Sequence, residues 1–458
     1  MAVTDLLSDH TADFLRRGYR FADELRSGSD DPRAGSRAPL QVLGSRALLV
    51  RGAEGVRLFY DTSAVRREGA MPAFIKGGLF GRGSVHGLDG AEHQHRKEMF
   101  IRSLMGPAAA EGVLEEAERE WAKAVRDRWL SGGTASVYAV ATEVYGRALL
   151  RWAGVVTHPE TATRIAHAEA AIVDGFAVIG PAWLRTQAMR WWCDRWFRNE
   201  VRRARSGKIT PREDTHFANV LAHRDQEGRP LSDDVAAVEL QNGIRPGIAV
   251  ARFAAFAALA MHEHPQWRER IHDEVRSRWT TQGGPIALAF ADEVRRYYPF
   301  VPMLPAVARH DLDVDGAPLA EGERVLIDVW GTNRDERHWS DPERFDPTRF
   351  LGAEGVPWDD DLGVHAADHF VPQGGGRPQT GHRCPGERIT LALLAQTVSE
   401  LSGLEARVVT DGLDVPMGRM PTAPRNGVLL TDVRRRHSPA QGLAVGQCHA
   451  VSAARNRA

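Results

Sequence analysis

Cysteine is scarce in this 458-residue chain: Cys193, Cys384 and Cys448 are odd in number and far apart. That argues against a disulfide framework and points to a reducing, cytoplasmic setting. Net charge is equally scarce, with 59 Lys plus Arg against 60 Asp plus Glu. Without a polybasic block there is no electrostatic footprint for nucleic acid or for an anionic membrane. Long hydrophobic runs are missing too, since Phe253 to Met261 is too short to span a bilayer and follows Arg252. Met1 to Arg33 carries charges throughout and lacks the apolar core of a signal peptide. No Gly/Ser-rich or Pro-rich linker and no internal repeat divides the chain, so residues 1–436 read as one domain. The stretch 437–458 has no periodicity and is expected to be a disordered tail.

What is present is a large apolar fraction, 43% of residues, arranged mostly at helical spacing. Apolar positions three and four apart predict helices over Glu111 to Leu130, Ala135 to Ala153, Thr161 to Phe176 and Ala182 to Arg205. The same spacing covers Asp234 to Met261, Pro265 to Trp279 and Ile286 to Tyr297. Strand-like pieces are few. Gln41 to Val50 with a Gly-Ser turn, then Val56 to Tyr60, read as a small sheet. Ala306 to Val314 and Glu323 to Asp328 add later strands around the Gly316 turn. The expected fold is mainly α with a minor β region.

The most informative segment is FVPQGGGRPQTGHRCPGE, Phe370 to Glu387, followed by the apolar helix pattern RITLALLAQTVSELSG. Gly374 to Gly376 and Gly381 allow the backbone to come close to a flat group. Cys384 stands just ahead of a helix start, with Pro385 suited to a first-turn position. The positive end of a helix lowers a thiol's pKa and favours the thiolate that metals bind. A lone cysteine can equally be an inert buried residue.

This segment resembles the haem-binding loop of the cytochromes P450, in which the cysteine is the axial ligand of haem b. Two more motifs agree. Glu293 and Arg296 share a helix face as an E-x-x-R. Phe345 to Phe350 (FDPTRF) resembles the family segment whose arginine, here Arg349, completes a buried Glu–Arg–Arg cluster. The resemblance implies the cytochrome P450 fold, a large helical region with a small β-rich one.

Two departures narrow the reading. Phe370 lies fourteen residues before Cys384, an extended version of the loop. In the helix expected to cross the haem, Arg245-Pro246 stands where dioxygen-activating members carry an acid–alcohol pair for proton delivery. A mid-helix arginine on an apolar stripe must snorkel, pair with Glu239, or meet a substrate carboxylate, which guanidinium binds bidentately. Pro246 removes the hydrogen bond to the Asn242 carbonyl and should kink the helix.

The Arg-Pro pair, the extended loop and RRYYPF (Arg295 to Phe300) are similar to the bacterial fatty-acid peroxygenase branch. So are LFGRGSVHGLDGAEHQHRK (Leu79 to Lys97), ALAMHEHP (Ala258 to Pro265) and GTNRDERHW (Gly331 to Trp339). That resemblance implies oxidation of fatty acids at Cα and Cβ by hydrogen peroxide, by hydroxylation and by decarboxylation to terminal alkenes. The substrate carboxylate on Arg245 serves as acid–base group, and no redox partner is needed. It assigns Cys384 to the iron; Arg67, His93, Lys97 and Tyr298 to the haem propionates; and Phe80, Phe176 and Arg245 to substrate. His86 matches a position near the substrate: a protonated imidazole beside the reacting centre would favour decarboxylation, whereas a histidine that only fills space leaves hydroxylation at Cα and Cβ dominant. His262-Glu263-His264 and His93-Gln94-His95 are not read as metal sites, because i, i+2 side chains on a helix diverge. Two readings compete: a dioxygen-dependent monooxygenase that needs an electron donor, and a non-catalytic haem sensor that needs Cys384 but not Arg245.

Overall fold

The computed structural model describes residues 9–29, 31, 33–176, 181–351 and 368–436. The tail expected from His437 onward lies outside the described residues. The helices that build the site are α1 (Gly52–Tyr60), α2 (Gly90–Leu104), α3 (Pro159–Asp174), α4 (Pro181–Arg205), α5 (Asp233–Ala249), α6 (Ala251–Glu263), α7 (Pro285–Tyr297) and α8 (Glu387–Ser402).

At the centre lie α6, in which every residue from Ala251 to Met261 is buried, and α8, in which all sixteen are. Helices buried on every side belong to the centre of the protein, and these two pack on each other. The combined run Asp233–Glu263 is long and apolar enough to cross a bilayer, yet its apolar surface is spent on this core. Among the described residues proline starts five α-helices, at Pro107, Pro159, Pro181, Pro265 and Pro285, where its missing N–H costs nothing.

The β region flanks this bundle. Strands β1 (Arg37–Val42), β2 (Ser45–Val50), β3 (Val65–Arg66), β5 (Met303–Ala308) and β8 (Arg324–Asp328) form a five-stranded sheet in the order β1-β2-β8-β5-β3. Only β2 and β8 run parallel. A three-stranded sheet joins β4 (Ala135–Ser136) to β10 (Leu429–Arg435) and β9 (Leu404–Val408).

Two sequence expectations need correction. Val56 to Tyr60 is not a strand but the end of α1: Val56 and Phe59, three apart, are buried, and Gly52 opens the helix at φ 76°. Its β-branched and aromatic composition masked that spacing. Ala306 to Val314 is split, because β6 (Leu312–Val314) leaves the large sheet to form a hairpin with β7 (Ala317–Leu319). Pro246, where a kink is expected, lies inside α5. The helix continues to Ala249 and tightens one turn later, where the Val250 N–H bonds the Gly247 carbonyl at 3.3 Å.

The E-x-x-R on α7 is a buried fork. Arg296 donates to Glu293 Oε2 and Oε1 at 2.6 and 2.8 Å, and neither residue is exposed. Glu293 also accepts from the Asp346 N–H at 2.6 Å, and Arg349 lies 3.7 Å away as its second cation. Arg296 further donates to the carbonyls of Asn333, Pro342 and Arg344, tying the 333–349 segment to α7. Removing one partner strands the other as a buried charge, so Glu293→Ala should lose about 3–5 kcal/mol of stability. Denaturant unfolding measures this, and a loss below about 1 kcal/mol would show that the pair is not a structural tie.

Candidate active site

Cys384 is held by the loop that precedes α8. Its N–H donates to the Gln373 carbonyl at 3.1 Å, and the Gln373 amide lies 3.9 Å from the sulfur while donating to Thr390 Oγ1 at 2.9 Å. Gly374 and Gly375 let this loop press onto α1: a Cβ at Gly374 would sit 2.7 Å from the Tyr60 hydroxyl, and one at Gly375 would sit 2.4 Å from Val56 Cγ1. α8 begins at Glu387, later than Pro385 suggested. Burial pushes the Cys384 thiol up, and the Gly386 N–H only partly offsets this.

Opposite the cysteine, α5 and α6 line the same cavity with Arg245, Pro246, Ala249, Val250 and Phe253. It encloses about 250 Å³, and Phe80 and Phe176 also line it. Five residues, Met71, Leu79, Phe176, Pro302 and Met303, are shared with a second apolar chamber of about 200 Å³ that runs beneath β1 toward Phe14 and Trp183.

Arg245 is 2% exposed. It does not pair with Glu239, whose carboxylate is taken by Arg96 at 3.1 Å and the Val85 N–H at 2.8 Å. Arg245 Nη2 donates to Asn242 Oδ1, and Nη1 has no hydrogen-bond partner. Asn242 in turn donates to the Phe80 carbonyl and to Glu239. Glu239, Asn242 and Arg245, each one turn from the next, thus form a polar seam on an otherwise apolar helix. Burial lowers the Arg245 pKa to about 10, so it stays protonated at neutral pH.

A cluster of bases surrounds the cysteine loop. Lys97 Nζ donates to the carbonyls of Gly381 and Arg383, and its pKa falls to about 8 through burial. His93, one turn earlier on α2, stacks on His382 with centroids 4.0 Å apart. Arg67 donates to the Phe59 carbonyl at 2.8 Å and lies 3.9 Å over the Phe59 ring. Asp89 is the acid among them, accepting from the N–H groups of Arg67 and Glu68 and lying 3.4 Å from His382. Burial and the neighbouring positive groups push His93 down to about 3. Bases outnumber acids here, which suits a group that carries carboxylates.

Not every expected residue comes to this place. The Tyr298 hydroxyl donates to Glu263 at 3.1 Å and its ring stacks on Phe256, so it belongs to the packing between α6 and α7, away from the base cluster. Glu263 and His264 are likewise engaged elsewhere, and among the described residues no cluster of three or more His, Cys, Asp or Glu could hold a metal ion. His86 stacks on Phe80 with centroids 4.1 Å apart. Burial, then the positive field of Arg245, pushes His86 down to about 3, so it is neutral near pH 7 and not the protonated donor expected. Sequence reasoning missed His382, Gln373, Asp89 and Asn242. His382 and Gln373 stood in the cysteine loop itself, but nothing local marked the other two.

The cytochrome P450 family model matches residues 205–398. Among solved structures, cytochrome P450SP alpha (CYP152B1) in complex with (R)-ibuprophen is 33% identical, covers 93% of this chain and 99% of its own, and superposes with a TM-score of 0.83. Cytochrome P450EX alpha (CYP152N1) with myristic acid is 32% identical with the same TM-score, the match spanning 93% of this chain and 98% of that one. A variant of cytochrome P450 OleT in complex with arachidonic acid is 31% identical over 94% of this chain and 98% of that one, at a TM-score of 0.84. Rhazimal synthase of Alstonia scholaris is 27% identical over 204 residues, 39% of this chain and only 38% of its own length.

Because Asp89 organises the base cluster through two backbone N–H groups, Asp89→Ala should destabilise the protein by about 1–3 kcal/mol for the donors left unsatisfied. It should also lower the haem retained per chain severalfold. Unfolding curves and haem absorbance per chain measure both, and wild-type values for both would remove Asp89 from this role.

Proposed function

This chain belongs to the cytochrome P450 family, and from that premise we propose that it is a soluble, cytoplasmic peroxygenase that oxidises fatty acids with hydrogen peroxide and needs no redox partner. The observation that carries the reading is the buried guanidinium of Arg245, which lines the cavity opposite Cys384 with Nη1 free of any hydrogen-bond partner. A cation placed so deep calls for an acceptor, and a substrate carboxylate supplies one in the matching fork geometry.

Haem b fits the residues present, with Cys384 for the iron and Arg67, His93 and Lys97 for the propionates. When bound it supplies the redox-active iron with which hydrogen peroxide is turned into an oxidant, thiolate donation favouring O–O cleavage. The chain's own part is to bind, orient and handle the proton. Arg245 and Pro246 leave no acid–alcohol pair at the centre of the helix, so the carboxylate held at Arg245 Nη1 accepts and returns the proton that peroxide cleavage must move. Phe80 and Phe176 hold the first methylenes, and the second apolar chamber extends the path for the rest of the chain.

Burying ten methylenes yields roughly 8 kcal/mol at about 0.8 kcal/mol each. The charge-assisted contact to Arg245 adds about 1.5–3 kcal/mol. The alkyl chain therefore supplies most of the affinity while Arg245 sets the register, which directs oxidation to Cα and Cβ rather than to the chain end. The myristic and arachidonic acid held by similar structures agree with such a substrate.

Arg245→Ala should lose fatty-acid turnover by two orders of magnitude or more with peroxide and no reductase, while a short added carboxylic acid restores oxidation of non-acid substrates. Arg245→Lys keeps the charge without the fork and should fall between the two. Product analysis over a fatty-acid panel is the measurement, and undiminished turnover by Arg245→Ala would sink the proposal.

A second prediction concerns His86. A group whose pKa is pushed to about 3 does not titrate between pH 6 and 8. The ratio of terminal alkene to hydroxy acid should therefore stay flat over that range, with neutral His86 offering a single N–H. A ratio that climbs as the pH falls toward 6, and that loses this slope in His86→Gln, would restore the protonated donor.

A further inference from the structure

Arg245 has a second polar neighbour besides Asn242. Glu169, on α3, is completely buried, and its carboxylate lies 3.7 Å from Arg245 Nη1. At that distance the two attract as ions without a hydrogen bond. Neither carboxylate oxygen of Glu169 has a hydrogen-bond partner, and the adjacent Cys193 thiol is a poor donor. The other charged groups facing Glu169 are Arg190 and Asp194 of α4, and these two satisfy each other through contacts of 2.7 and 3.1 Å. In effect one guanidinium and one carboxylate are left to balance.

We propose that Glu169 is the resident counter-ion of Arg245, and that a substrate carboxylate enters the cavity together with one proton, which the two carboxylates then share. The inference rests on the reading that Arg245 anchors a fatty-acid carboxylate. The physical reason is charge balance. A second anion beside the same buried cation leaves an uncompensated negative charge, which a dry interior disfavours strongly. Two carboxyl groups sharing one site titrate as a pair, with one of them kept protonated. Glu169 is the one that takes the proton, because it has no hydrogen bond to lose while the incoming carboxylate gains Nη1. Burial already raises its pKa, in the direction this requires. Glu169 is thus a positioning residue: it keeps Arg245 charged and aimed while leaving Nη1 open.

The sign follows from linkage. Because binding takes up a proton, affinity for the acid falls as the pH rises, by up to about tenfold per pH unit. An uncharged ligand of the same chain length has no such dependence.

The test is calorimetric binding of decanoate and of 1-decanol to the haem-loaded enzyme, between pH 6 and 9, in buffers of different ionisation heat. Wild type, Glu169→Gln and Arg245→Ala are compared. The expected result is an uptake approaching one proton per decanoate in the wild type and none with 1-decanol. Glu169→Gln should bind decanoate without proton uptake and at least tenfold more tightly at pH 8, with 1-decanol affinity unchanged. No uptake by the wild type at any pH, or uptake that persists in Glu169→Gln, overturns the role of Glu169. In either case a loss of decanoate affinity in Arg245→Ala leaves the anchoring role standing. Decanoate bound equally well by Arg245→Ala instead removes the reading on which the inference rests.

Discussion

The structure around the site is organised by the need to keep a positive charge on the inside of a largely apolar helix. Arg245 sits on a run whose neighbours are buried alanine, isoleucine, valine and phenylalanine. Such a charge is stable only if surrounding groups supply acceptors. Asn242 supplies one, Glu169 supplies the opposing charge 3.7 Å from Nη1, and Nη1 itself has no hydrogen-bond partner. The seam continues through Glu239 to Arg96 on α2 and to the N–H of Val85. The turn that carries His86 is thereby held by the same polar seam that positions the guanidinium.

The other wall is built on a different principle. The cysteine loop is held mainly by its own backbone and by close packing, with glycines pressed against Val56 and Tyr60 and the Cys384 N–H bonded to Gln373. Behind it, Arg295 bridges Asp292 and Glu387, and Arg383 adds a second cation to Glu387. One wall therefore offers a thiol held by backbone and packing, and the other a guanidinium held by a polar seam. Between them lies a cavity whose lining is mostly apolar. That separation suits an amphipathic ligand, because its charged end has one place to go and its chain has another.

Much of this was legible in the chain itself. The cysteine loop, the E-x-x-R and the Arg-Pro pair are local signatures whose meaning does not depend on distant residues. Helix periodicity located α3 to α7 within a few residues. It failed at Gly52–Tyr60, where the short segment Val56–Tyr60 fits strand and helix equally well and only packing decides. The role expected of Tyr298 failed for a similar reason: the motif fixed its place at the end of α7, but the ring turned toward Phe256 and Glu263.

By itself, then, the sequence determined the fold class, the cysteine loop and the absence of an acid–alcohol pair beside Arg245, because each resides in contiguous residues or in a period along one helix. Tertiary structure alone decided which partners the buried charges have. Glu239 faces Arg96 of α2 rather than Arg245, and Glu169 reaches Arg245 from α3. Tertiary structure also decided protonation, keeping His86 neutral through burial and the field of Arg245. Desolvation and through-space charge depend on distances between residues far apart in the chain, and neither is written into any local pattern.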